Sequence, residues 1–302
     1  MADPYFLACD WGTTNLRAWV VGGDGEVLAS RDFELGVSRL GPGEAEARFA
    51  NEVRPALNAR SLPAILCGMI GSNLGWRQVD YLPCPAGLED LREALATVAD
   101  GVRIVPGLRG EGVAGAPDVM RGEETQVFGW LRQDEARSRG RHLLCHPGTH
   151  AKWILIEDGR IVRFVTAMTG ELFAVLRKHS VLRSDASADD EASFDAGLAA
   201  AEDGGALAAR LFTARSRVTA GGAAAESTPS YLSGLLVGAE VASVPKLLGV
   251  DLAQPIVLLG DENLCRWYAR ALSRLGASSA TYDGEAAALA ALTALQMEGA
   301  LT

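Results

Sequence analysis

The run FLACDWGTTNLRAWVVGGDGEV at residues 6–27 is written a second time, in altered form, as HLLCHPGTHAKWILIEDGRI at residues 142–161. Each copy passes from an apolar strand into a Gly-Thr turn. A basic residue, a Trp, a second apolar strand and an acidic Gly turn follow. One hairpin cannot bury its own apolar face, so each copy needs a sheet and helices around it. Two copies far apart in one chain therefore predict two related α/β halves.

The order of elements after each hairpin agrees. In the first half, strands are expected at 5–10, 16–21 and 26–33, with GGDG as a turn. A helical pattern at 44–58 is disturbed by Pro55, and PAILCGMIG (63–71) is a short apolar run bounded by Pro and Gly, a buried strand. GLEDLREALATVAD places Leu88, Leu91, Leu95 and Val98 at helical spacing, VRIVPG is a further strand, and EGVAGAPD (111–118) is a loop. EETQVFGWLRQDEA is helical. In the second half, strands run through 142–166 and helices follow at about 171–180, 189–200 and 205–213. A loop is expected at 219–229, then the small-residue helix YLSGLLVGAEVAS, the strand PIVLLG, and the helices NLCRWYARALSRLG and GEAAALAALTALQM.

Composition excludes several classes. The 302 residues, 48% of them hydrophobic, can bury a sizeable core. No apolar run reaches about 18 residues, so no transmembrane helix is expected. MADPYFLACD lacks the basic and apolar regions of a signal peptide. The net charge of −10 argues against nucleic acid and anionic membranes, though not against a small anion held by a few local donors. Five scattered Cys without a CxxC pair fit buried reduced thiols in a cytoplasmic protein, and the four His are not spaced with them as a zinc set.

The first turn carries chemistry. Asp10 ends a strand, and Gly12, Thr13 and Thr14 follow. Gly admits a close backbone approach, successive N–H groups make an anion nest, and Thr hydroxyls add donors. The Asp10 carboxylate can hold Mg²⁺ beside a triphosphate. Asp, Gly and Thr are also common in plain turns, but the echo at Gly148 and Thr149 shifts the balance towards phosphate. Between the hairpins, Arg121 and Gly122 precede Glu123 and Glu124 at the expected start of a helix. Two acids there also suit a helix's first turn through its macrodipole.

The paired Gly-Thr hairpins resemble the phosphate loops of the actin-like ATPase superfamily, which includes sugar kinases and chaperone ATPases. The resemblance implies two similar actin-like (ribonuclease H-like) α/β domains with an interdomain cleft. The expected division is 1–125 for the first phosphate loop and sugar acid, and 126–302 for the second phosphate loop and adenosine, with the terminal helix near the hinge. Gly148, Thr149 and Lys152 of the second hairpin are expected at the nucleotide, with Gly260 and Asn263 at the strand–turn–helix element. The second hairpin has His146 and Pro147 where many members carry an acid and Gly, so Asp10 stands as the metal acid. GEET resembles the SGxEEA run of exopolyphosphatases, and matching Gly122 to it places Glu124 on the catalytic acid.

Six runs, DWGTTNLRAW, GMIGSNLGW, VMRGEETQ, PGTHAKW, MTGEL and LSGLLVGAEVAS, resemble the 2-dehydro-3-deoxygalactonokinase family. That resemblance implies ATP- and Mg²⁺-dependent phosphorylation of 2-dehydro-3-deoxy-D-galactonate at its 6-hydroxyl, in galactonate breakdown in the cytoplasm. The expected partners are the sugar acid and ATP, with no nucleic acid and no membrane, and a homodimer stays open. Carboxylate recognition suits Arg17 and Arg121; Ser72 and Asn73 suit sugar hydroxyls, with Thr169 and Glu171 from the other half. The alternatives are a kinase of another sugar or sugar acid, an exopolyphosphatase-like hydrolase, and a non-catalytic sensor, for which no basic helix-turn-helix run is present.

A general base contributes roughly 10²–10⁴-fold to rate. Glu124→Gln is therefore expected to lower kcat by about that factor with ATP binding nearly unchanged, while Glu123→Gln loses little. Measured side by side, a dead Glu123→Gln would shift the register by one residue, and two active variants would place the base outside this motif.

Overall fold

The computed structural model describes residues 3–202 and 205–297. In chain order the strands are β1 (Pro4–Trp11), β2 (Leu16–Gly22), β3 (Val27–Phe33), β4 (Ala64–Cys67), β5 (Leu82–Pro83), β6 (Ala96–Ala99), β7 (Val102–Ile104), β8 (Leu108–Glu111), β9 (Pro117–Met120), β10 (Arg141–His146), β11 (Ala151–Glu157), β12 (Arg160–Ala167), β13 (Ile256–Gly260) and β14 (Ser279–Asp283). The helices are α1 (Glu44–Arg48), α2 (Arg54–Ala56), α3 (Leu88–Glu93), α4 (Glu123–Arg132), α5 (Thr169–His179), α6 (Glu191–Ala201), α7 (Leu207–Leu211), α8 (Thr213–Thr219), α9 (Thr228–Leu247), α10 (Glu262–Arg274) and α11 (Gly284–Met297).

The repeated hairpin opens two sheets of matching order. One sheet runs β3-β2-β1-β4-β7-β6 and the other β12-β11-β10-β13-β14. In each, three sequential strands lie side by side and the first of them pairs in parallel with a later strand, β1 with β4 and β10 with β13. The duplication read in the sequence is thus a duplication of sheet topology, the α/β architecture expected of actin-like ATPases.

The chain divides into two compact units. The first comprises residues 1–141, 156–163 and 283–302, and the second comprises 142–155 and 164–282. The expected boundary at 125 falls inside α4, whose apolar face packs on α11, and both helices belong to the first unit. The first core gathers Leu7, Trp11, Leu16, Phe49, Leu66 and Ile70. The second gathers Leu143, Trp153, Phe194, Val241, Leu258 and Tyr268.

Two local expectations need correction. The helical pattern over 87–100 stops at Glu93, and residues 96–99 form β6 instead. Thr97 and Val98 favour extended backbone, and Asp100-Gly101, with Gly101 at φ +63°, folds β6 back on β7. The stretch around Pro55 stays helical but widens to a π-turn over Phe49–Val53, because Pro55 offers no N–H to the ladder.

Helix pairing in both units relies on glycine. Gly197 of α6 and Gly234 of α9 meet backbone to backbone, and Gly129 of α4 faces the Ala287 carbonyl of α11. A methyl at Gly129 would overlap that oxygen. Gly129→Ala is therefore expected to destabilise the fold by roughly 1–3 kcal/mol or more through overpacking, read as a lowered Tm. An unchanged Tm would show that α4 and α11 can separate without cost.

Candidate active site

The first turn is built so that its carbonyls are spent. Gly12 N–H donates to the Asn15 carbonyl at 2.9 Å and closes the turn. The segment after β3 then binds the remaining carbonyls: Gly36 N–H to Thr14, Val37 N–H to Gly12, and Ser38 N–H and Oγ to Thr13. The 36–38 segment thus braces the turn. Among the described residues, the N–H groups and hydroxyls of Thr13 and Thr14 have no protein partner, and both residues are exposed. A turn whose acceptors are occupied and whose donors face outward suits an anion.

The second turn is braced at one carbonyl. Gly148 and Thr149 connect β10 to β11, and Glu171 N–H donates to the Thr149 carbonyl at 2.9 Å. Gly170 packs so closely on Gly148 and Thr149 that a side chain there would overlap them. His150 Nε2 and Glu171 Oε2 are 2.5 Å apart. Gly260, at φ +144°, lies 3.8 Å from the His146 ring measured from the position of a β-carbon. Asn263 is exposed in the first turn of α10, where Asp261 is the cap and accepts from Leu264 N–H.

Asp10 sits opposite Arg17 on β2 and Cys67 on β4. Burial pushes its carboxyl up to about 6; Arg17 and the Cys67 thiol oppose the rise, and Glu123 and Glu285 add to it. An acid held high by dry surroundings and neighbouring acids is relieved by a bound cation. By that measure a divalent cation beside Asp10 would be favoured.

Glu124 is wholly buried at the start of α4. Its carboxylate accepts from Gly122 N–H at 2.7 Å and from the Thr125 hydroxyl at 3.0 Å. Burial, then the nearby Glu123 charge, push it up to about 8. Glu123 instead accepts from Arg121 N–H at 3.0 Å. Gly68 (φ +87°) and Gly122 (φ +109°) bring the two acids into one neighbourhood. A β-carbon on Gly68 would stand 3.1 Å from an Asp10 carboxylate oxygen, and one on Gly122 would stand 3.3 Å from the Gly68 Cα.

Several expected ligand residues meet other residues of the protein, some at the surface and some buried. Arg17 lies 3.5 Å from Glu285 and 3.7 Å from Asp32. Lys152 is buried and donates to Thr166 Oγ1 at 2.8 Å. Thr169 is buried and bonds to Glu240, and Glu171 pairs with His150. Ser72 is buried and accepts from Leu74 N–H, whereas Asn73 is exposed. Arg121 is buried beside Tyr81. Sequence reasoning passed over Cys67 and Thr125, which lie against Asp10 and Glu124, and over Glu240. The Glu240 carboxylate also accepts from Trp153 and Tyr268, at 2.7 and 2.9 Å, in the second core. An acid inside an apolar helix, as in GLLVGAEVAS, was the signal for the last.

A family profile described as 2-keto-3-deoxy-galactonokinase matches residues 10–295. The chain belongs to this family. It is 36% identical over 288 residues to an Escherichia coli 2-dehydro-3-deoxygalactonokinase, covering 93% of this chain and 94% of the relative. It is 34% identical over 299 residues to a Rhizobium meliloti protein named as a probable 2-dehydro-3-deoxygalactonokinase, covering 96% of each. A crystal structure from Sinorhizobium meliloti given the same assignment superposes with TM-score 0.86 at 33% identity, over 97% of this chain and 99% of that one. A Clostridium difficile dehydratase activator, solved with bound ADPNP, shares the fold at TM-score 0.51 and 13% identity. The profile reaches from Asp10 to the last helix, so both Gly-Thr turns and the Gly122–Glu124 motif lie within the kinase family's match. No helix among the described residues is long and apolar enough to cross a membrane.

The buried acid has a thermodynamic signature. Folded Glu124 keeps its proton up to about pH 8, whereas the unfolded chain releases it near the ordinary value of 4.5. Between these values the folded state binds more protons, so stability falls as pH rises. Glu124→Gln is expected to melt above wild type at pH values beyond about 8, with the gain vanishing below the ordinary carboxylate range. A Tm difference independent of pH would mean that the acid is not held protonated.

Proposed function

We propose that this protein transfers a phosphoryl group from ATP to the 6-hydroxyl of 2-dehydro-3-deoxy-D-galactonate. The observation that carries the reading is Glu124, a dry carboxyl group held by two donors where Gly122 packs on Gly68 beside Asp10, inside a chain of the galactonokinase family. A base poised at about 8 is matched to a hydroxyl proton near neutral pH.

In this reading Glu124 accepts the proton of the 6-hydroxyl. Gly122 N–H and the Thr125 hydroxyl hold the carboxylate in place, so no reorganisation is needed as charge moves. The outward donors of Thr13 and Thr14 receive phosphate oxygens, Gly12 shaping the turn that presents them, and Gly148 and Thr149 form the second phosphate turn. Gly260 and Asn263 are proposed at the nucleotide, where the exposed first turn of α10 is free to receive it. Mg²⁺ held by Asp10 would supply charge neutralisation on the phosphates. Phosphoryl transfer asks for positioning and electrostatics more than for covalent chemistry. On the acceptor side, Arg121, Ser72 and Asn73 are the proposed sugar-acid contacts. Cytoplasmic sugar-acid catabolism is the proposed setting.

A coupled ADP-release assay over 2-dehydro-3-deoxygalactonate, 2-dehydro-3-deoxygluconate and plain hexoses tests the reading. Turnover is expected with the galactonate-derived acid. It should rise with pH through about 8, because the base works deprotonated. Phosphate release from polyphosphate without any sugar would favour the hydrolase instead. Asp10→Asn is expected to abolish most turnover with little loss of Tm, and near-wild-type turnover at saturating Mg²⁺ would remove Asp10 from metal handling.

A further inference from the structure

Arg121 lies immediately before the glycine that leads into the base, and it is 7% exposed. Its Nη2 donates to the Val79 carbonyl at 2.6 Å. The guanidinium carbon stands 4.3 Å from the centre of the Tyr81 ring. Its Nε and Nη1 are buried and, among the described residues, have no hydrogen-bond partner. Nη1 comes within 2.7 Å of the place a β-carbon would take on Gly71, so a residue larger than glycine would crowd it. A permanent charge with five N–H donors is thus served by one neutral carbonyl and one ring face.

The neighbouring acids do not serve it. Glu123 takes the backbone N–H of Arg121, and Glu124 takes Gly122 N–H and the Thr125 hydroxyl. A buried charge left without a counter-ion is costly and unusual. In a protein whose acceptor carries a carboxylate, the missing counter-ion and the substrate's charge answer each other.

We propose that Arg121 reads the charge of the acceptor: its guanidinium is the anchor for the sugar acid's carboxylate and sets the preference for acids over neutral sugars. This rests on the kinase reading above. Arg121 precedes the Gly122 cap of α4 and lies three positions before Glu124 in its first turn, so the two ends of a short sugar acid can meet them together. Val79 and Tyr81 cover the guanidinium, on a loop whose neighbouring residues Asn73 and Leu74 are exposed. Binding exchanges the Val79 carbonyl for a carboxylate, a stronger charge-assisted partner, and shifts the Val79–Tyr81 segment off the guanidinium edge.

The test compares kcat/KM for 2-dehydro-3-deoxygalactonate with kcat/KM for its neutral primary amide, in wild type, Arg121→Gln and Arg121→Lys. Wild type is expected to prefer the acid by roughly 10²–10³-fold, the scale of a desolvated charge pair. In Arg121→Gln the ratio should collapse to within a few fold, while the KM for ATP stays close to wild type. Arg121→Lys should keep part of the preference, because charge remains but the planar donor array is lost. Each ratio is internal to one protein, so partial loss of folded enzyme cancels. If Arg121→Gln does not fold, Arg121→Lys decides, and an unchanged preference there overturns the proposal. A Gln variant that slows acid and amide equally would make Arg121 a support for the 71–81 loop and nothing more. Wild type that phosphorylates acid and amide equally overturns the anchor alone. Wild type that phosphorylates neither overturns the kinase reading beneath it.

Discussion

The site in the first unit depends on one backbone approach, that of Gly122 to Gly68. Gly68 follows β4 and abuts the Asp10 carboxylate at the end of β1, while Gly122 precedes α4 and its Glu124. Both have positive φ, which a side chain would strain. Because neither carries a β-carbon, the start of α4 can approach the sheet end that carries Asp10. Side chains at these two positions would hold Asp10 and Glu124 apart.

That proximity explains the electrostatics. Asp10 and Glu124 are both raised, and burial is the largest cause for each. Glu123 raises both as well, as a like charge nearby. The two acids nevertheless differ in surroundings. Asp10 has the Arg17 guanidinium and the Cys67 thiol beside it and settles at about 6. Glu124 has neutral donors only and settles at about 8. Separated values of this kind let one carboxyl group be mostly charged near neutral pH while the other is mostly protonated.

The two Gly-Thr turns show how a common turn is stripped of free acceptors. Acceptors are removed first: Ser38 and Gly36 occupy the carbonyls of Thr13 and Thr14, and Glu171 occupies that of Thr149. What remains outward is donors. In the second turn the brace is the first turn of α5, which accounts for the MTGEL run: its glycine fits against the turn and its glutamate meets His150.

The sequence by itself determined the duplication, because strand, Gly-Thr turn and strand are local patterns and each hairpin is closed by neighbours in the chain. It also singled out Asp10, Gly12, Thr13, Gly122 and the Glu123–Glu124 pair as candidates, by residue type and spacing. Tertiary structure decided which acid is dry. Glu123 and Glu124 are adjacent and chemically alike, and only the packing of α4 buries one and leaves the other half-exposed. It also decided the fate of the expected sugar-acid ligands. Arg17 meets Glu285 from the far end of the chain, Thr169 meets Glu240, and Glu171 meets His150. Arg121 lies under a loop with its charge unanswered. Pairings between residues so distant in the chain are set by strand order and helix packing, which a one-dimensional pattern of residue types does not contain.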